Sequence, residues 1–243
     1  MYSIVKLKQI MEKEEYLKIG RKLRESITLI NFASLLSSNV FTKKHINLDL
    51  SVNNKNLLEL RGKNKDFLSM YIKQTLLENN AIWGYGGYGE KRNIYEDGIN
   101  FQNENDNRNI HLGLDVWLEE GTEIYAPIGG VIHSLKDNNQ SFDYGPTIIL
   151  EHHINGIIFY TLYGHLSRES LLDKKEGQKI KASEKIATIG SSDVNGSWPT
   201  HIHFQIIGDM MGVKGDFPGV SNEKNSEMYL SLCPNPNTLF EIK

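Results

Sequence analysis

From residue 111 onward the chain is written as short β-rich runs separated by turn residues, and that pattern limits the fold more than any other feature. Tyr125-Ala-Pro-Ile-Gly-Gly-Val-Ile132 reads as strand, turn, strand. Thr147 to His152 and Ile157 to Tyr163 are apolar, β-branched runs, and the Asn155-Gly156 pair between them predicts a two-residue hairpin turn. Lys179 to Ala182, Ile186 to Gly190 and Thr200 to Ile207 continue the series. The expectation is a mainly β domain, α+β overall, with antiparallel strands in a sandwich or open barrel.

The first 80 residues have a different texture. A charged helical stretch is predicted near 11–28, a strand over His45 to Leu50, and a second helical pattern near 55–80. Leu57, Leu58, Leu60, Phe67, Leu68, Tyr71, Ile72 and Leu76 recur there at three- and four-residue spacings, so the stripe needs a partner surface. Residues 1–90 are therefore expected to form a mostly helical accessory lobe. Residues 91–243 form the β domain, with a C-terminal extension from about 210. Trp83-Gly-Tyr-Gly-Gly-Tyr-Gly-Glu90 lacks the Lys-Ser/Thr of a phosphate-binding loop and is expected to be a loop joining the lobes. Residues 102–109, polar and Asn-rich, are expected to be an exposed loop.

With 243 residues, a net charge of −3 and 23% charged residues, the chain offers no broad basic surface for nucleic acid or an anionic membrane. A single cysteine, Cys233, excludes an intrachain disulfide. No run approaches the roughly 20 apolar residues of a membrane span, and Glu12 to Glu15 arrive before a signal-peptide core can build up. On these grounds a cytoplasmic location is expected.

The histidines carry the chemistry. His111 and Asp115 stand four apart in His-Leu-Gly-Leu-Asp, and His201 and His203 two apart in His-Ile-His. On a strand an even separation puts both members on one face, with Leu112, Leu114, Ile202 and Phe204 turned to the core. Imidazole nitrogen and carboxylate oxygen suit zinc, and a catalytic site uses three protein ligands with one open position. With His165, these four imidazoles and one carboxylate exceed what one such ion uses, so some must serve as catalytic helpers. His45, His133, His152 and His153 show no comparable pattern and read as structural or exposed.

His111-Leu-Gly-Leu-Asp115, Leu162-Tyr-Gly-His165-Leu and His201-Ile-His203-Phe-Gln resemble, in that order, the motifs of the M23 peptidases. These are lysostaphin/LytM-like zinc endopeptidases that cut peptidoglycan cross-bridges or stem peptides. Gly121 to Pro127, Gly130-Val131 and Glu176 to Ala182 resemble the family's strand framework, so the likeness covers about 108–210. It implies one zinc ion per chain held by His111, Asp115 and His203, with His165 and His201 as the catalytic pair. Tyr163 and Trp198 become substrate-cleft candidates, and a peptide or peptidoglycan fragment the substrate. The chain departs from the family in Asn195-Gly-Ser-Trp198-Pro-Thr before His201, where Trp198 would reshape the cleft. Gly87-Tyr-Gly-Glu90, Trp198-Pro199, Gly215-Asp-Phe-Pro-Gly219 and Leu230-Ser-Leu-Cys-Pro234 also resemble a subgroup joined to aminotransferase and kinase-like domains, which suggests a second reading, a cytosolic zinc hydrolase of a small amide or ester. A third is a non-catalytic M23-like binding or regulatory module, against which every motif position is retained. Lipoyl or biotinyl carriers share the Ala-Pro and Gly-x-Val strings, but that fold leaves the histidines unexplained. A cupin would need a Glu shortly after His-x-His, where Phe204-Gln-Ile-Ile-Gly stands.

Overall fold

A computed structural model describes residues 4–61, 66–94 and 107–237. The expected loop over 102–109 lies mostly outside them, with only 107–109 described. The chain opens on helix α1 (Ile4–Ile27) and a single turn, α2 (Ser38–Phe41). Strand β1 (His45–Asn47) leads into α3 (Lys55–Arg61) and α4 (Phe67–Glu78), and β2 (Trp83–Gly86) follows. The second half holds β3 (Arg108–His111), β4 (Leu114–Trp117), β5 (Glu123–Tyr125), β6 (Gly130–Asn138), β7 (Gly145–Ile154) and β8 (Ile157–Gly164). After α5 (Glu169–Leu172) come β9 (Lys179–Ile180), β10 (Lys185–Thr188), β11 (His201–Ile207), β12 (Val220–Asn222) and α6 (Ser226–Leu232).

Eight strands form one open, mixed sheet in the order β1-β2-β4-β11-β8-β7-β6-β9. Every pairing in it is antiparallel except β1 with β2. Two small ladders, β5–β10 and β3–β12, flank it. The β7–β8 hairpin turns at Asn155 and Gly156, with φ of 50° and 77°. Both values are positive, as a type I′ turn requires. The parallel β1–β2 pair needs a long crossover, and α3 and α4 supply it.

The first half of the glycine-rich segment expected to be a connecting loop is instead strand β2, whose Gly84 and Gly86 pair with Trp117 and Asp115 of β4, while Gly87 to Glu90 form the expected turn. The glycines mark close packing here rather than a loop. A Cβ on Gly84 would meet the Leu48 side chain at 2.5 Å, and one on Gly86 the Leu48 carbonyl oxygen at 2.6 Å. Trp83 of the same strand is buried, and its indole N–H donates to the Val40 carbonyl. The sheet thus runs without interruption from the N-terminal segment into the β-rich half.

One face of the sheet carries the main core, with Leu114, Ile148, Leu150, Phe159, Tyr163, Ile202, Phe204 and Ile206 packed against Leu35, Leu36 and Ile124. A second apolar cluster joins Leu48, Leu50, Leu57, Phe67, Leu68 and Ile72 to Ile94, Trp117, Trp198 and Val220. Of the stripe read from residues 57–76, Leu57, Phe67, Leu68 and Ile72, with Tyr71 and Leu76, find their partner on the β-rich half, whereas Leu58 is exposed. Truncating Trp83 to Ala removes the largest buried side chain of β2 and should cost about 3–5 kcal/mol. Urea unfolding of Trp83→Ala measures it, and a loss under ~1 kcal/mol would show that β2 is not part of the stable sheet.

Candidate metal centre

Strand β11 places His201 and His203 on one face, opposite Trp117 and Asp115 of β4. His203 is also paired with Gly164, the residue before His165. The three strands β4, β11 and β8, with the start of the loop after β8, thus bring four of the five predicted groups together by register alone. His111 arrives differently. The even spacing of His111 and Asp115 was expected to place them on one face of a single strand, but the chain breaks at Leu112-Gly113. His111 ends β3, which pairs with β12, whereas Asp115 lies in β4 of the main sheet. The break has a steric cause: a Cβ on Gly113 would lie 2.5 Å from the His203 ring. His203 packs against bare backbone there, and the corner turns His111 back toward Asp115.

His111 Nε2, His203 Nδ1 and Asp115 Oδ1 form a tight triangle with edges of 3.0, 3.1 and 3.3 Å. All three residues are at most 3% exposed. Their outer hydrogen bonds decide what these atoms present to one another. His111 Nδ1 lies 3.0 Å from the Gly87 carbonyl oxygen, a pure acceptor, so Nδ1 carries the proton and Nε2 a lone pair. His203 Nε2 lies 2.9 Å from Gln205 Oε1. The Gln205 amide is oriented by its NH2, which donates to the Pro218 carbonyl at 3.1 Å and to Cys233 Sγ at 3.3 Å. His203 therefore donates from Nε2 and leaves a lone pair on Nδ1. Two nitrogen lone pairs and a carboxylate oxygen face each other within van der Waals contact, an arrangement that repels unless a cation lies between them. A tetrahedral ion with bonds near 2.0–2.1 Å separates its ligands by roughly 3.3 Å, so the residues present fit a divalent metal in both donor type and spacing.

Arg92 secures the carboxylate from behind. Its Nη1 donates to Asp115 Oδ2 at 2.7 Å and its Nε to Glu90 Oε2 at 2.6 Å, and it is 2% exposed. Glu90 Oε1 in turn accepts the Leu50 N–H. Burial alone would push the Asp115 carboxyl up, but the His111 ring and the Arg92 guanidinium hold it well below the usual carboxylate range. Burial, with the nearby Arg92 charge, pushes His111 down to about 4.

His165 and His201 sit beside this triangle with ring centroids 4.1 Å apart. His165 Nδ1 donates to the Asn195 carbonyl at 2.9 Å and His201 Nδ1 to the Pro199 carbonyl at 2.6 Å. Both rings are thus held with the Nε2 lone pair unprotonated, and burial pushes both below the ordinary imidazole range. His165 also adopts a left-handed backbone, φ 62°, fixed by its N–H to the Tyr144 carbonyl and by the Gly190 N–H to its own carbonyl. Such strain in a non-glycine residue costs about 1–3 kcal/mol and concentrates at functional positions. The Tyr144 ring lies across from both, 5.7 Å from His165 and 5.1 Å from His203.

Trp198 lines the cavity that opens onto these residues, together with Trp117, Phe142 and Tyr144. Tyr163 does not. It faces the opposite side of the sheet, fully buried against Phe204, with its hydroxyl accepting from Thr161. Strand alternation sends it to the core, which corrects its expected place in the cleft. The remaining histidines lie elsewhere: His152 is buried between the Gly129 carbonyl and Thr161, His45 stacks on Trp83, His133 meets Tyr160 edge-on, and exposed His153 is paired with half-buried Glu151. Arg92, Glu90, Gln205 and Tyr144 were not anticipated. Gln205 had a readable signal, being the next same-face residue after His203 on the strand. Arg92 had none, since it reaches Asp115 from another segment.

Peptidase family M23 matches residues 109–214, a span that holds all five predicted groups. This stretch is an M23 peptidase domain. The chain is 29% identical over 117 residues to an uncharacterized metalloprotease of Haemophilus influenzae, covering 48% of this chain and 23% of that protein. It is 35% identical over 94 residues to the uncharacterized lipoprotein YgeR of Escherichia coli K12, covering 39% of this chain and 33% of the other. The chain therefore spans only a quarter to a third of these curated relatives. Among solved structures, the lysostaphin catalytic domain of Staphylococcus simulans aligns with 69% of this chain and 96% of its own, at 24% identity and a TM-score of 0.44. A zinc-containing peptidase from Vibrio cholerae aligns with 40% of this chain and 26% of its own, at 28% identity and a TM-score of 0.32. No described helix is long and apolar enough to cross a membrane.

Two measurements test the M23 centre as built. Replacing Gln205 by Met removes the acceptor that fixes His203 and should weaken divalent-metal binding about 10- to 100-fold, as metal-buffered titration would show. Unchanged affinity would mean that the His203 tautomer is set by something else. The second concerns pH. Because His111 is held near 4 while its unfolded value is near 6.5, the unfolded chain binds a proton that the folded chain refuses across that window. His165 and His201 are shifted in the same direction. Stability of the metal-free chain should therefore be greatest above pH ~6.5 and fall as pH drops toward ~4. The depressed Asp115 adds a further loss at still lower pH, as it too becomes protonated. Thermal midpoints that stay level from neutral pH to the lower end of this window would contradict the buried, neutral imidazoles.

Proposed function

We propose that the chain is a zinc-dependent metalloendopeptidase that hydrolyses peptide bonds of peptidoglycan-type peptides. The observation that carries this reading is the buried triangle of His111, Asp115 and His203, with two further imidazoles beside it whose Nδ1 protons are already committed to carbonyls. In this reading the three triangle residues hold one zinc ion, which supplies Lewis acidity for water and for the scissile carbonyl.

The chain's own residues divide the remaining work. His165 and His201 offer Nε2 lone pairs in a dry setting, where an imidazole takes a proton from water and returns it to the leaving amine. Their depressed basicity keeps them unprotonated at neutral pH, ready to act first as base. Once protonated, each donates a hydrogen bond to negative charge developing on the carbonyl oxygen. The hydrogen bond from His165 to Asn195 and its clamped backbone hold that ring in place, so little reorganisation is needed when charge appears. Arg92 fixes Asp115 through Oδ2, which leaves Oδ1 turned toward the metal position.

Single-residue variants separate the two roles. His203→Ala should abolish zinc binding and turnover together. His165→Ala should retain zinc and lower turnover by about 10²–10⁴-fold, the usual weight of general acid–base catalysis. Metal content by mass spectrometry, measured beside release of new amino termini from peptidoglycan peptides, checks both. A His165→Ala protein with full activity would remove the catalytic assignment.

A further inference from the structure

The cavity over the M23 centre is about 320 Å3, at the low end of the ~300–1,000 Å3 of small-ligand pockets. Its walls come from both halves of the chain. Leu50 and Leu68 of the N-terminal segment form one apolar cluster with Trp117, Trp198, Ile94 and Val220 around the opening. The loops that carry Phe142 and Trp198 are fastened together. The Phe142 N–H donates to the Gly196 carbonyl at 2.8 Å, and the Phe142 ring meets Trp198 edge-on at 5.4 Å. Trp198 is itself held by its N–H to Asn195 Oδ1. The Leu112 N–H donates to the Gly219 carbonyl, and Val220 pairs with His111, which fastens the segment before β12 into the cavity lining. The five metal-centre residues are consequently no more than 6% exposed.

An enzyme that cuts within a cross-linked polymer needs a groove open at both ends, because the chain continues on either side of the scissile bond. A cavity of about 320 Å3 whose five central side chains are no more than 6% exposed favours a substrate that enters end-on. We infer that this site takes short, unattached peptides and excludes the same peptides while they are held in a polymer network, with Leu68 and Trp198 as specificity-determining residues. The inference rests on the peptidase reading and narrows it: the substrate is the product of an earlier cleavage that frees stem peptides from the glycan. Trp198 stands in the loop that departs from the family pattern, and Leu68 lies outside the M23 match, so the filter is a property of this chain.

The test uses the full chain loaded with zinc. Binding is read on His165→Ala, by tryptophan emission during titration with short soluble stem peptides and by co-sedimentation with intact sacculi. Saturable binding of the peptides, weakened about tenfold by adding Trp198→Ala, and no sedimentation with sacculi are expected. Turnover is read on the unmodified protein. The rate on free peptides should exceed the rate on sacculi by about tenfold or more, and Leu68→Ala or Trp198→Phe should narrow that ratio by widening the opening. Sedimentation with sacculi, equal rates on the two substrates, or an unchanged ratio in both widened variants would overturn the inference, as would failure to bind free peptides. Peptides that bind in the pocket but are never cut would sink the peptidase reading alone and leave the size filter standing.

Discussion

Four outward hydrogen bonds organise this protein. Gly87, Gln205, Asn195 and Pro199 each supply an oxygen to one nitrogen of a buried imidazole, so His111, His203, His165 and His201 all keep the opposite lone pair inside. Without a cation, the closest of these meet each other and Asp115 as acceptor against acceptor. The surrounding fold has to hold that conflict in place. It does so with the most rigid parts available: adjacent strands β4 and β11, a corner at Gly113 that only a bare backbone fits, and a buried arginine. Removing any of the four oxygens would let a ring turn or change tautomer, and the inward set of lone pairs would be lost.

The N-terminal segment is tied to this centre through the sheet and through the cavity wall. Strand β2 lies between β1 and β4 and is the neighbour against which Asp115 is paired, and the Gly87 carbonyl that sets the His111 tautomer follows directly after it. Glu90 and Arg92 continue from the same strand to the far side of the carboxylate. Leu50, in the loop after β1, and Leu68 of α4 both line the opening. One stretch of chain, residues 48–94, which precedes the matched family domain, thus contributes both to the positioning of His111 and Asp115 and to the cavity wall.

Much of this was readable in the sequence, for physical reasons that differ from place to place. The strands of the second half were legible because alternation and the Asn155-Gly156 turn are local signals. The His201–His203 pair was legible because a strand has period two, and the same rule taken one step further reaches Gln205. The expectation that His111, Asp115 and His203 bind a metal beside His165 and His201 rested on the resemblance to M23 peptidases, and the structure gathers these five side chains in one place. What local pattern could not supply was anything made by distant segments meeting. The break between His111 and Asp115 arises from the ring of His203, 90 residues away from Gly113. The strand at Trp83 to Gly86 was hidden by glycines, whose bareness serves close packing against Leu48 rather than a turn. Tyr163 followed the alternation of its strand into the core, although it stands two residues from His165. Arg92 gave no sign at all, since its partner is chosen only once β2 lies beside β4.

The central claim is that fixed tautomers create one zinc site from His111, Asp115 and His203. X-ray absorption at the zinc edge, on chain loaded with a single equivalent of zinc, tests it most directly. The account predicts a four-coordinate spectrum with two imidazole nitrogens and carboxylate oxygen at about 2.0–2.2 Å and no sulfur. A spectrum with a bond to Cys233 sulfur, or one indistinguishable from hydrated zinc, would contradict it.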